Sequence, residues 1–414
     1  MSDSRDYLFD RGYELRLEIP SQREVSIRLE QGTAERFGEE LPPERDLTFK
    51  GPAKFALFTW HGCKLRVSGD PSTPYVTASN VMRDYLTAHA IINKMRYEAC
   101  RDKRLGPKVV VAGGPSSGKS SVCRILTNYA LKCGWRPIFV ELDVSANEDM
   151  MPGCISACVK SNNPSEQPLA YFFGHTEIRQ QNMELYLAQV TELAAAVKQR
   201  LANELEYAQN TTPGSFALAD NAYASGCIIN FPPFIDPSQG EIVLNHIIQQ
   251  FETSMVFILD QDRLLEALKR RQMQAFTLSK SGGVVMIDQA YKNAATALIL
   301  DQYFLRNPYQ QIILKWDQIK IYKITSAAMP ETALTFGAAP LLQGLLQHQV
   351  VPSKETILYA VMGVVNDAVD IRKEPVLGVV NVTEVDEVRK EISIISPGEL
   401  PSMTFILGSL KRLK

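Results

Sequence analysis

Gly113-Gly114-Pro115-Ser116-Ser117-Gly118-Lys119-Ser120 has the spacing G-x-x-x-x-G-K-[ST], and these residue types at this spacing suit one task, holding a polyphosphate. Glycines let successive backbone N–H groups turn inward around phosphate oxygens. A helix starting at the motif adds the partial positive charge of its N-terminus. On that basis Gly113, Ser116, Ser117, Gly118, Lys119, Ser120 and Ser121 are the candidate nucleotide contacts. Lys119 is expected at the β- and γ-phosphates and the Ser120 hydroxyl on Mg²⁺. A Gly/Ser-rich turn can match the pattern by chance, so the flanks decide. Val109-Val110-Val111-Ala112 is an apolar β-branched run, and Val122, Leu126 and Tyr129 follow at helical spacing. Strand, phosphate loop and helix in that order predict a nucleoside triphosphate site.

Phosphoryl transfer asks for more than a cradle. It needs a carboxylate near the metal, a group that orients the nucleophile, and positive charge over the transferring phosphorus. Phe139-Val140-Glu141-Leu142-Asp143 is an apolar strand ending in an acid, which makes Asp143 the candidate Mg²⁺-side carboxylate, acting through water. The competing reading is an acid that caps the next turn. Lys119 and Asp143 are thus the residues that catalysis would use here. Cys154 and Cys158 lie four apart, but no second pair or nearby histidine completes a metal set, so they read as buried free thiols.

Three stretches of different texture must position these residues. Residues 1–100 are β-rich: Tyr13–Ile19 and Val25–Leu29 alternate apolar and polar residues, and Phe55–Trp60 and Lys64–Val67 are joined by a short turn. Val81–Ala99 has helical spacing, and Arg101-Asp102-Lys103-Arg104 reads as a linker. Residues 101–305 alternate strand candidates Val109–Ala112, Pro137–Asp143, Gly226–Phe231 and Ser254–Leu259 with helical segments such as Ile178–Tyr207 and Gln239–Phe251. That alternation implies a parallel sheet with ligand at the carboxyl ends of its strands. Residues 306–414 turn β-rich again, with Ile319–Ile324, Ile357–Val365, Val376–Val385, Glu391–Ile395 and Thr404–Leu410 as mainly antiparallel strands.

Composition bounds the rest. A chain of 414 residues with 45% hydrophobic and 22% charged content is expected to form several globular domains. A net charge of −2 supplies no overall attraction to nucleic acid. Seven scattered cysteines fit a reducing compartment. Met-Ser-Asp-Ser-Arg-Asp at the start has no apolar signal core, and no apolar run nears the roughly 18 residues of a membrane span. A cytosolic or nuclear location without membrane contact is expected.

Further matches extend along the whole chain: Tyr-Glu-Leu-Arg-Leu-Glu (13–18), Ala-Lys-Phe-Ala-Leu-Phe-Thr-Trp-His-Gly-Cys (53–63), Val-Glu-Leu-Asp-Val (140–144), Met-Pro-Gly (151–153), Leu-Asp-Gln-Asp-Arg-Leu (259–264) and Lys-Ser-Gly-Gly-Val-Val (280–285). With them the chain resembles the polynucleotide 5′-hydroxyl kinase family, most closely its nuclear branch, which serves as a subunit of the pre-mRNA cleavage and polyadenylation machinery. The resemblance implies an α/β fold: a central P-loop NTPase domain with a parallel sheet, flanked by an N-terminal β-sandwich and a small C-terminal α/β domain. It also implies ATP and Mg²⁺ as ligands, with Glu14 and Lys54 of the first domain at the purine. The implied partners are protein subunits of the cleavage factor, notably the one that binds the RNA polymerase II C-terminal tail, with RNA contacted indirectly. A nuclear location follows. Trp60 is expected to pack rather than bind.

The chain departs from active relatives at four places. They carry a Gln three residues after the second acid, where this chain has Val144-Ser145-Ala146. They have an Asp inside the phosphate loop, where Ser116 stands here. A Gly-Trp pair that stacks on the substrate base is replaced by Ile229-Asn230-Phe231-Pro232-Pro233-Phe234, leaving Phe231 or Phe234 as stacking candidates. Their lid helix bears several arginines, whereas residues 286–298 here hold no Arg and a single Lys, Lys292. One ammonium on a flexible stem replaces forked guanidiniums poorly. The expectation is an ATP-binding scaffold with feeble or no kinase activity; the alternative is a working RNA 5′-hydroxyl kinase. Lys269-Arg270-Arg271 reads as a solvated helix face, not an RNA path.

Overall fold

The computed structural model describes residues 4–412 except 146, 148, 162–165, 211–221, 235, 306–308 and 327–343. The first nine strands are β1 (Ser4–Phe9), β2 (Tyr13–Ile19), β3 (Glu24–Gly32), β4 (Glu35–Arg36), β5 (Glu39–Glu40), β6 (Asp46–Lys50), β7 (Ala53–Phe58), β8 (Cys63–Gly69) and β9 (Ser72–Ala78). They form two sheets, β1-β8-β3-β6 and β5-β4-β7-β2-β9, closed on a core that includes Leu15, Leu17, Val25, Ile27, Leu57 and Leu65. This is the expected β-sandwich. Alternation on β2 sends Leu15, Leu17 and Ile19 inward, which leaves Glu14, Arg16 and Glu18 together on the other face. On that face Glu14 pairs with Phe58, Arg16 with Ala56 and Glu18 with Lys54 of β7, while Tyr75 of β9 stands beside Arg16.

The central body runs α1 (Val81–Arg101), β10 (Lys108–Gly113), α2 (Lys119–Lys132), β11 (Ile138–Glu141), β12 (Cys154–Val159), β13 (Leu169–Phe172), α3 (Met183–Asn210), α4 (Ala222–Ser225), β14 (Cys227–Asn230), α5 (Pro237–Phe251), β15 (Met255–Leu259), α6 (Asp262–Arg270), β16 (Ala275–Leu278) and α7 (Gln289–Phe304). Its sheet has the order β13-β12-β11-β14-β10-β15-β16. The five strands from β11 to β16 in that order are parallel, as expected, while β12 is antiparallel to both neighbours. Residues Cys154–Val159 mix small residues and thiols, which carry little strand propensity, so this hairpin extension left no clear sequence signal. The strand expected over 137–143 ends at Glu141, placing Asp143 in the turn beyond it. Helix α1 packs through Met82, Tyr85, Ala88 and Ile92 against Val109, Val111, Val122 and Tyr129.

The last strands are β17 (Gln310–Lys315), β18 (Lys320–Ser326), β19 (Leu345–Gln349), β20 (Ala360–Val365), β21 (Gly378–Asp386), β22 (Glu391–Ser396) and β23 (Thr404–Lys411), with a one-turn helix α8 (Lys354–Ile357) before β20. Their order is β17-β22-β21-β20-β23-β18-β19, antiparallel except for β18 beside β23. The strand expected from Ile357 begins only at Ala360, because Ser353 and Thr356 cap each other and close a helical turn first. This sheet is bonded to the central body: Val376 N donates to Ala170 O at 2.8 Å and Ser409 N to Gly174 O at 2.8 Å. A Cβ on Gly408 would lie 2.1 Å from Gly174 O, so only glycine permits that approach. Among the described residues no helix is long and apolar enough to cross a membrane.

Candidate nucleotide site

The phosphate loop joins the buried strand β10 to α2. Ser116 and Gly118 take left-handed backbone angles, φ 50° and 94°, which turn the intervening N–H groups toward one side. A Cβ on Gly113 would lie 2.6 Å from Leu259 O, so this first glycine is required by close packing. Lys119 is 5% exposed, and its Nζ donates to Gly114 O at 2.7 Å. Burial lowers its pKa below the ordinary lysine value, while the charges of Asp143 and Glu141 work the other way. The Ser117 hydroxyl is buried without a hydrogen-bond partner. A half-satisfied buried ammonium and an orphan hydroxyl at a helix start are the donors an anion would complete.

Behind the loop, Asn230 at the end of β14 ties Ser120 to Glu141. Its Nδ2 donates to Ser120 Oγ at 3.0 Å and to both Glu141 oxygens, at 2.8 and 3.0 Å. Glu141 also accepts from Asp143 N at 2.8 Å. Burial, and next the neighbouring Asp143 charge, push the Glu141 carboxyl well above the usual carboxylate range. Asp143 Oδ1 accepts from Ser145 N at 2.9 Å and Ser145 Oγ at 2.6 Å. Asp143 therefore does cap its turn, two residues beyond the strand end. Ala146, where active relatives have Gln, lies outside the described residues. Glu141 and Asn230 were not foreseen, although a polar residue at the end of each apolar strand was a usable signal.

Residues 279–288 lie over the loop. A Cβ on Gly118 would come within 2.9 Å of Val284 Cγ2, and Ile287 N donates to Ser116 Oγ at 3.4 Å. Tyr85 OH donates to Ser279 O at 2.8 Å, and Asp288 Oδ1 caps α7 by accepting from Tyr291 N at 2.7 Å. Met286 at the tip is 79% exposed. The β2–β7 face leans on the same segment. Glu14 is buried and holds Arg16 at 2.7 Å, and the Arg16 side chain lies against Gly282 and Gly283. Lys54 Nζ pairs with Glu18 at 3.1 Å and stands 5.5 Å from the Tyr291 ring centre. Glu14 and Lys54 thus share a face but are four register steps apart, about 13 Å along the strands. Arg16 and Tyr75 went unforeseen, though the two-residue period from Glu14 puts Arg16 on its face.

Phe231 and Phe234 are 2% and 8% exposed and pack on each other at 5.8 Å, so neither is a surface for base stacking. Both rings are part of the central core. Trp60 packs edge-on to Phe58 at 4.8 Å, as expected. Lys269 and Arg271 pair with Glu266 and Glu241 on an exposed helix end. All seven cysteines are free; Cys154 is buried, but Cys158, next to the sheet end, is only half-buried. Among the described residues no group of three or more His, Cys, Asp or Glu side chains could hold a metal ion.

Comparison with known proteins covers the chain nearly end to end. Residues 9–99 match the model of the N-terminal beta-sandwich domain of polyadenylation factor, residues 113–306 that of the mRNA cleavage and polyadenylation factor CLP1 P-loop, and residues 307–412 that of the pre-mRNA cleavage complex II protein Clp1. The polyribonucleotide 5′-hydroxyl-kinase Clp1 of Gallus gallus is 33% identical over 95% of this chain and 92% of its own length. The Homo sapiens protein of that name is 32% identical over the same shares, and the Arabidopsis thaliana CLP1 homolog 31% over 98% and 93%. Among solved structures, Clp1p in its complex with a Pcf11p fragment superposes with a TM-score of 0.82, covering 100% of this chain and 99% of that one at 23% identity, a shared fold.

Proposed function

The chain belongs to the Clp1 family of cleavage and polyadenylation factors, and from that premise we propose that it is a nuclear, ATP-binding scaffold subunit of the pre-mRNA 3′-end cleavage and polyadenylation complex, with degenerate kinase groups. One observation carries this reading. The phosphate cradle is whole, with Lys119 unpaired by any carboxylate among the described residues, while the segment pressed onto it is Val284-Val285-Met286-Ile287 rather than a row of arginines.

The residues present fit ATP and Mg²⁺. Gly113, Ser116, Ser117, Gly118, Lys119, Ser120 and Ser121 line the turn that would hold the phosphates, and the orphan Ser117 hydroxyl would gain its missing partner. Ser120 and Asp143 would hold the metal, Asp143 through water, with Asn230 fixing the Ser120 rotamer. Glu14 and Lys54, on the sheet face above, would flank the purine; their separation leaves Glu14 the closer base contact and gives Lys54 a supporting role through its long stem. Bound Mg²⁺ would supply charge neutralisation of the phosphates.

Turnover is another matter. Cationic groups over the transferring phosphorus are worth about 10³- to 10⁵-fold in rate. Here Lys292 is the lone basic residue of 286–298, and the nearby Arg16 is neutralised by Glu14. A ligand held at 1,000 times its Kd stabilises the folded state by about 4 kcal/mol without being consumed. ATP would act in that structural role, joining the sandwich face to the central body and preserving a surface for a protein partner. The relative Clp1p is seen with Pcf11p, and a subunit of that kind, which also contacts the polymerase tail, is the partner proposed here, with RNA reached through it.

The test mixes purified protein with γ-labelled ATP and an oligoribonucleotide bearing a 5′-hydroxyl. The scaffold reading expects no label on RNA above the level given by Lys119→Ala. Transfer that Lys119→Ala abolishes would instead establish the working kinase.

A further inference from the structure

We infer that Arg16 is the latch that holds the lid segment 279–288 down on the phosphate loop, so that this positioning residue, and not a lid arginine, sets how long a nucleotide stays bound. The ligand in this statement rests on the nucleotide reading above; the latch itself does not.

Arg16 is fixed from its own sheet. Its Nε and Nη2 both lie 2.7 Å from Glu14 Oε1, its Nη1 donates to Tyr75 OH at 3.1 Å, and its guanidinium stands 5.5 Å from the Tyr75 ring centre. The Glu14 side chain is 4% exposed and that of Arg16 16%. A planar group held in this way has lost most of its rotamer freedom before anything touches its other side.

That other side meets two glycines. A Cβ built on Gly283 would lie 2.8 Å from Arg16 Nε and 3.2 Å from Cδ; one on Gly282 would lie 3.3 Å from Nη2. A Cβ at Gly283 would push the side chain aside, and one at Gly282 would crowd it. The very next residue, Val284, is the one that touches Gly118, and Ile287 N bonds Ser116 Oγ. Lifting the lid off the loop therefore means pulling Gly282 and Gly283 away from Arg16.

The other ties are either weak or confined to the start of the segment. Lys280 and Asp260 are 3.6 Å apart at an exposed position, and the Ile287–Ser116 bond is long at 3.4 Å. Tyr85 OH to Ser279 O at 2.8 Å and Ser279 Oγ to Asp84 Oδ2 at 2.5 Å are short, but both anchor only the start of the segment. A lid helix without arginines has no strong charge of its own to draw it onto the phosphates. Arg16 supplies closure from the neighbouring sheet instead, through packing rather than through contact with the ligand.

Two readouts test this on the full chain. Without nucleotide, Arg16→Ala should speed amide hydrogen exchange across 281–288 about tenfold or more, while Arg16→Lys, which keeps charge but loses the flat fork, should restore only part of the protection. With a fluorescent ATP analogue, Arg16→Ala should speed dissociation about tenfold to a hundredfold. Gly283→Ala reaches the same contact from the lid side, crowding the Arg16 side chain while leaving every sandwich residue in place, and serves if Arg16→Ala fails to fold. The double variant should be no faster than the faster single one, because both remove one contact. Wild-type lid exchange in both single variants, or additive effects in the double variant, would overturn the latch. Faster lid exchange in a protein that retains no ATP would uphold the latch and sink the nucleotide reading instead.

Discussion

His89 shows how much chemistry sits outside the phosphate loop at the scale of one residue. It is 6% exposed between α1 and α2, with Nε2 3.6 Å from Cys133 Sγ and no partner at Nδ1. Burial first, and the Arg96 charge second, lower its pKa from 6.5 to about 4. The unfolded chain therefore takes up the proton more readily than the folded one. The stability His89 contributes is whole above pH 6.5 and is lost as the pH falls toward 4. At about pH 5 the loss is roughly 2 kcal/mol, so His89→Gln should lose about that much less than wild type between pH 7 and 5, read from urea midpoints. Equal losses would contradict the assignment. At this scale the site was legible where it is local: a contiguous loop motif announces itself. Asn230, Glu141 and Arg16 were not, because their meaning lies in partners distant in sequence or on another strand.

The lid helix α7 is the element on which the functional reading turns. Asp288 caps it, and sits next to Ile287, whose N–H reaches the phosphate loop. Asp288→Asn keeps a capping oxygen but removes a negative charge one residue from the contact with the phosphate loop, and should slow nucleotide release several-fold. Asp288→Ala should instead loosen the first turn, at about 1 kcal/mol, and speed release. Stopped-flow dissociation separates the two; identical rates for both variants would mean that the cap does not govern the lid. Elements with a clean period, such as β2, α2 and β15, were readable in advance because burial of one face or both dictates them. Helix α8 and strand β12 were not, since a capping pair and a hairpin partner override weak propensity. The Phe231–Phe234 loop misled for a related reason: aromatic residues after a strand end look like a surface platform until tertiary packing takes them inside.

At the scale of the whole molecule, the sandwich face, the phosphate loop and the lid meet around one place, and the C-terminal sheet is bonded to the same central body at Ala170 and Gly174. A nucleotide there would touch two of these units at once, which gives it a structural use that does not depend on being cleaved. The account stands or falls on what the purified protein carries. Gentle purification, acid denaturation and chromatography of the supernatant measure it directly. The account predicts close to one nucleotide per chain, recovered as intact ATP, and its loss in Lys119→Ala. Recovery of ADP, or of no nucleotide at all from the wild type, would contradict it.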